Sequence, residues 1–243
     1  MHIEPGVVDT AKIGLSYATA AGAGATGLYF AGQAIREHGT VSLVARSLTA
    51  AVLTFVFFEI LPHFAVGVSE VHLILGSTLF LLLGAGPSAI GLVLGLLVQG
   101  LFLSPTDLPQ FGMNMTTLLV PMFALMEVAK RTIAKGTAYV DLTYAQVLKL
   151  SLVYQGGIVA WVAFWAFYGQ GVTATAGIAS FGAAYMLVVL AEPLVDLAIL
   201  TVANALRGTV PAALVTERRY AAACSRCNRF KARSHKGRAF FMT

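Results

Sequence analysis

The sequence predicts an all-α fold: a polytopic membrane helix bundle of about seven transmembrane helices, N-terminus outside and C-terminus cytoplasmic. Three observations carry that expectation. Hydrophobic residues make up 58% of the 243 and charged residues 11%, whereas a soluble domain carries about 25% charged residues. Apolar runs recur at lengths that suit helices, and mean hydropathy is +0.79. No stretch alternates with period 2 between turn signals, which argues against a β-barrel.

Each expected span rests on its own apolar run. Residues 18–33 open the bundle, and the small residues of 20–27 suit close helix contact, within the bundle or with a partner. Residues 43–61 follow and end at Pro62. The third run, 71–83, starts beside His72. The fourth, 89–103, follows the Gly86-Pro87 break. The fifth and sixth are 113–129 and 147–168. The seventh, 178–206, contains Pro193, which should kink or break its helix. Several runs are short for a hydrocarbon core of about 30 Å, so tilt or burial within the bundle is expected.

Charge placement orients the bundle. With seven spans and an outside N-terminus, Lys12 alone of the sixteen Lys and Arg residues falls outside. Arg36, Arg46, Lys130, Arg131, Lys135, Lys149, Arg207 and the basic tail fall inside, as the positive-inside rule requires. The net charge of +5 is this cytoplasmic bias, so no nucleic-acid partner is implied. The first ten residues carry Glu4 and Asp9 but no Lys or Arg, so a cleaved signal peptide is not expected. Localisation is the cell (inner) membrane, multi-pass. Residues 1–207 form the transmembrane domain. Residues 208–243 form a basic tail, expected to be disordered, cytoplasmic and drawn to anionic lipid. Its Cys224, Cys227 and His235 are three zinc-type ligands where a structural site needs four.

The chain opens Met1-His2-Ile3-Glu4-Pro5-Gly6. A histidine in second position sets an α-amine, a backbone amide and an imidazole next to one another. Together they can chelate one metal ion, and with the amide deprotonated they favour a square-planar nitrogen site suited to Ni(II), Cu(II) or low-spin Co(II). Position alone favours a frayed terminus. Topology shifts the reading, because His2, His63 and His72 all gather at the outer side. His63 could simply cap a span at the interface. His72, at the head of an apolar run, is costly there unless functional or paired. Polar residues within the spans are few: Glu59, Gln99, Asn114, Glu127, Gln155, Glu192 and Asp196. Helical spacing would pair Glu59 with His63 and set Glu192 beside Asp196. Such residues face a bundle interior rather than lipid, and many only join helices.

These residues carry a resemblance. Met1-His2-Ile3-x-x-Gly6, the loop from Ser69 to Gly76 with its His72-Leu73, the block with Gly86-Pro87, Gln99 and Gly112-x-Asn114, and Leu190-Ala191-Glu192 together resemble the CbiM/NikM family. That family supplies the substrate-binding membrane component of energy-coupling-factor cobalt/nickel transporters. The resemblance covers about residues 1–207. It implies a metal site made of the Met1 amine, the His2 amide and imidazole, and His72, with the N-terminal segment folded back into the bundle. His63, Ser69, Glu70, Gln99, Asn114 and Glu192 are then candidates for the surrounding shell or cavity. The transported substrate is Co(II) or Ni(II). The implied partners are a transmembrane coupling subunit and ATP-binding cassette ATPase subunits, with or without a small accessory membrane subunit. The sequence differs from the family in three places: Gly67-Val68-Ser69-Glu70-Val71 is poorer in glycine, Met115-Thr116-Thr117 lacks a second asparagine, and Tyr185 replaces a histidine.

The chain is not expected to be an enzyme by itself: it shows no catalytic motif, and without a phosphate-binding Gly-rich loop with a lysine any ATP hydrolysis must come from partner subunits. The rival reading is a membrane-embedded zinc enzyme built on His2, His63 and His72, with Glu70 or Glu59 as general base. A channel or self-sufficient carrier is a further rival, weakened because the chain lacks a clear inverted repeat.

Overall fold

A computed structural model describes residues 3, 6–9, 12–134 and 136–205. Helices dominate. In chain order they are α1 (Gly14–His38), α2 (Thr40–Phe55), α3 (Gly76–Leu83), α4 (Ala85–Phe102), α5 (Phe111–Thr132), α6 (Tyr144–Gln170) and α7 (Thr175–Ala205). Between α2 and α3 lies a hairpin of β1 (Phe64–Val66) and β2 (Ser69–Val71). Among the described residues, four stretches are apolar and long enough to cross a membrane: Thr40–Ile60, Ala85–Phe102, Pro105–Thr132 and Tyr144–Ala205, the last holding both α6 and α7. The chain is a multi-pass membrane protein. Gly, Ala and Thr make α1 less apolar than these, although its 25 residues give it the length.

The expected third span is corrected. Residues 71–83 do not form one helix: Val71 ends a strand, and α3 has only eight residues. Eight residues rise about 12 Å, well short of a bilayer core of about 30 Å. The reason lies in the neighbours. Gly91 and Gly95 of α4 lie so close to α2 that an added Cβ would sit 2.2 Å from Ala50 Cβ and 2.7 Å from Thr54 Cβ. Residue order rises together along both helices, so α2 and α4 run parallel. The return between them is made by the hairpin, residues 72–75 and α3. Gly84, with φ 87°, then turns the chain directly into α4; that left-handed conformation suits glycine.

α2 continues into a π-turn, Val56–Ile60, and stops where Leu61 becomes extended, as residues before proline prefer. His63 therefore lies beyond the helix, and the expected helical pairing with Glu59 does not apply. Pro193 does not break α7, which is continuous over 31 residues. The basic tail and its cysteines lie outside the described residues.

Contacts sort the loops into two ends. The segment before α1, the hairpin, the start of α5 and the α6–α7 link share one end. There Gly169 lies against Val7, Gly177 against Val68, and Gly112 against Ser16. At the other end, Tyr144 Oη meets Thr201 Oγ1 at 3.0 Å and Gln146 Nε2 donates to the Thr132 carbonyl at 3.0 Å. Arg46 of α2, itself buried, donates to the Leu83 carbonyl and so satisfies the end of α3. The core between α3, α5, α6 and α7 is filled by Trp165, Tyr154, Tyr185 and Phe181, all fully buried.

Candidate metal centre

The site is built on the hairpin. Gly67, at φ 64°, and Val68 make its two-residue turn, with glycine first as a type II′ turn demands. Register pairs Phe64 with Val71, Ala65 with Glu70 and Val66 with Ser69. The turn is pressed on α7 so tightly that a Cβ at Gly67 would lie 2.2 Å from the Gly177 carbonyl oxygen. His72 follows β2 directly and is 1% exposed. Its Nε2 lies 2.8 Å from Glu70 Oε2. Its ring is edge-on to Phe58, with centroids 5.2 Å apart. On another side His63 stacks on it at 5.0 Å with planes 14° apart.

The segment before α1 reaches the same hairpin. Ile3 forms an isolated antiparallel bridge with Ser69. Its N–H donates to Asn114 Oδ1 at 2.8 Å, and its side chain is 1% exposed. Val7 and Val8 are buried further along. Gly169 admits them, because a Cβ there would fall 2.0 Å from the Val7 carbonyl oxygen. Lys12 closes the segment by donating to the carbonyls of Tyr168 and Gly169, 3.1 Å each. A cation at a helix C-terminus is well placed, which accounts for the basic residue that the charge rule left outside.

Five of the sequence candidates are thus brought together at one end: His63, Ser69, Glu70, His72 and, through Ile3, Asn114. Met1 and His2 lie outside the described residues. Gln99 is buried near the end of α4, and its Oε1 has no hydrogen-bond partner among the described residues. Glu192 is fully buried on α7, beside the backbone of Ile74 and Leu75 rather than against the His72 ring. Sequence reasoning missed Ile3 as an anchor, Phe58 as a wall of the His72 pocket, and Ser77 and Ser151 beside Asp196. Apolar Ile3, Val7 and Val8 in an otherwise polar terminus were the available signal for the first.

A histidine needs both ring nitrogens placed to serve as a ligand: one for the metal and one held by an acceptor that fixes the ring. Glu70 supplies that acceptor at Nε2, so in this arrangement ligation would run through Nδ1. His63 cannot share an ion with His72 here. Imidazole binds metals in its ring plane, and stacked, near-parallel planes do not meet at one ion. Among the described residues no group of three His, Cys, Asp or Glu side chains is arranged to hold a metal.

The arrangement defines a multi-pass membrane protein whose terminal segment is laid into its helix bundle beside a buried histidine. A family model described as the cobalt uptake substrate-specific transmembrane region, CbiM, matches residues 2–210. The chain belongs to that family and is a cobalt-uptake, substrate-specific membrane component. No curated protein and no solved structure matches the chain.

Proposed function

We propose that this protein is the substrate-binding membrane subunit of an energy-coupling-factor ABC transporter that imports Co(II) or Ni(II). The ion is held by the Met1 amine, the His2 amide and imidazole, and His72. One observation carries the reading: Ile3 is bridged to Ser69 and hydrogen-bonded to Asn114. His2 precedes Ile3, with adjacent Cα atoms about 3.8 Å apart, and His72 stands three residues beyond Ser69. Three of the four ligand atoms come from two consecutive residues, and the hairpin offers the fourth. Such a nitrogen set suits Ni(II) or Co(II).

The end of the bundle bearing the hairpin is the outer one in this reading. Arg36, Arg46, Lys130, Arg131 and Lys149 then lie toward the cytoplasm, as the positive-inside rule asks. The chain is not an enzyme by itself; ATP hydrolysis belongs to cassette ATPase subunits that act through a transmembrane coupling subunit. The zinc-enzyme reading loses ground because the His63 and His72 rings stack instead of converging.

Inserting one alanine between Met1 and His2 tests the proposal. The change keeps every side chain but enlarges the chelate. The parent loaded with Ni(II) should be yellow and diamagnetic, and the insertion variant and His72→Ala should lose that spectrum while remaining folded. An insertion variant with unchanged affinity and spectrum would show that the amine is not a ligand.

A further inference from the structure

The bundle holds a second polar constellation, away from the stacked histidines. Glu192 and Asp196 stand one turn apart on α7 and are 0% and 1% exposed. From α3, the Ser77 hydroxyl donates to Asp196 Oδ2 at 2.6 Å. From α6 come Ser151 and Gln155, both fully buried. Tyr185 donates its hydroxyl to Gln155 Oε1. Among the described residues, both Glu192 oxygens, Asp196 Oδ1, Ser151 Oγ and Gln155 Nε2 lack hydrogen-bond partners. They converge nonetheless. The Glu192 carboxyl neighbours Asp196, the Gln155 amide and the backbone N–H groups of Ile74 and Leu75, and the Asp196 carboxyl neighbours the Ser77 and Ser151 hydroxyls.

No countercharge is at hand among the described residues. α3 carries no titratable residue, α7 carries no basic one, and Lys149 of α6 is exposed. The other titratable groups facing the pair are the hydroxyls of Tyr154 and Tyr185. Two carboxyls in an apolar interior are costly without neutralisation. The N–H groups and the Gln155 amide near Glu192 offset part of one charge; one divalent cation balances both, and three carboxylate oxygens without a well-formed hydrogen bond, with a serine hydroxyl, form an oxygen donor set that such a cation accepts. The place is also telling. Leu75, three residues after His72, takes φ 51°, a conformation that bulky residues avoid. Its backbone faces Glu192, so the pair lies at the end of roughly 11 Å of chain at most from His72.

We propose that Glu192 and Asp196, with Ser151 and Ser77, form a second divalent-cation station inside the bundle, inward of the hairpin. It takes the ion through oxygen and therefore holds Co(II) or Ni(II) more loosely than the nitrogen set does. It also accepts harder ions such as Mn(II). That the transported ion uses it rests on the function proposed above; the station itself does not.

Mn(II), an oxygen-preferring ion, is the probe, followed by electron paramagnetic resonance on the full-length protein in detergent. The parent should bind one Mn(II), and His72→Ala should bind it equally. Glu192→Gln and Asp196→Asn remove charge at constant volume and should weaken it by at least the roughly 10–100-fold that loss of an outer-shell partner costs a metal site. A parent that binds no Mn(II) overturns the station even if both variants fail to fold. So do folded variants that bind like the parent, which would leave a pair of protonated carboxyls. Loss of Mn(II) in His72→Ala overturns it too, because the ion would then sit at the hairpin. A parallel Co(II) titration separates the two readings. His72→Ala that keeps the first, tight equivalent defeats the nitrogen site and leaves the station standing.

Discussion

Asn114→Ala is the substitution that asks most directly whether the terminal segment and the metal site are one unit. Asn114 Oδ1 accepts the N–H of Ile3 at 2.8 Å, and both residues are 1% exposed. Water does not reach that N–H, so truncating the acceptor leaves a buried donor unsatisfied. The cost of such a loss is about 1–3 kcal/mol. If ligation requires Ile3 to be seated, the whole cost appears in metal affinity. With tenfold per 1.4 kcal/mol, Co(II) or Ni(II) should bind roughly 5- to 150-fold more weakly. Calorimetric titration of the purified protein reads the affinity, and thermal unfolding of the metal-free protein reads the bundle, which should change little because the loss is local to the segment. Asn114→Asp keeps an acceptor and should keep most of the binding. An Asn114→Ala protein with parental affinity would refute the coupling, because the segment would then be free to leave the hairpin without consequence for the ion.

Gly169→Ala approaches the same coupling from α6. Its Cβ would fall 2.0 Å from the Val7 carbonyl oxygen; overpacking of this kind costs about 1–3 kcal/mol, so affinity should again drop by roughly 5- to 150-fold in the same titration. Glu70→Gln keeps the shape beside His72 Nε2 but removes the charge, and losses of this type run to roughly 10–100-fold in metal affinity; equal binding would leave Glu70 without a role. Ligation also competes with protons on an amine of ordinary pKa about 7.7–8.0 and an imidazole of about 6.5. The metal needs the deprotonated forms, so affinity should fall progressively as pH drops from about 8 to 6. A flat profile over that window would point to oxygen ligands instead.

Composition and charge made the helical, membrane-embedded class legible, because 11% charged residues cannot cover a water-exposed surface. The long runs behind α2, α4, α5, α6 and α7 were readable for the same reason. The third run failed because hydrophobicity does not distinguish a spanning helix from a buried strand, a left-handed turn and a short helix, all of which bury the same Val, Leu and Ile side chains. The parallel packing of α2 on α4 through Gly91 and Gly95 creates that third crossing, and no local signal encodes it. Pro193 was expected to kink or break its helix, and the break does not occur. A proline costs a backbone hydrogen bond, and α7 nonetheless runs on through it over 31 residues. At the candidate centre His72 stood out as an ionisable group in apolar sequence. Its relation to Ile3 emerges only when the bridge forms between Ile3 and Ser69, which lie far apart in sequence.

In the proposed site the segment before α1 combines two demands that usually conflict. A chain terminus is the part of a protein most prone to fray, while a chelate that uses a terminal amine needs that terminus held still. The described contacts hold the segment just beyond that chelate. Ile3 is fixed by a backbone bridge and a side-chain acceptor, Val7 and Val8 are buried against the gap left by Gly169, and Lys12 grips the end of α6. These anchors bear on residues after His2, so in the proposed site packing meets part of the ordering entropy before an ion binds. Preorganisation of this kind raises affinity by lowering what binding must overcome. It also explains why the hairpin is short and pinned on α7 at Gly177: a longer, freer loop would carry His72 equally well in sequence but could not hold its ring between Glu70, Phe58 and His63 at a fixed distance from Ser69.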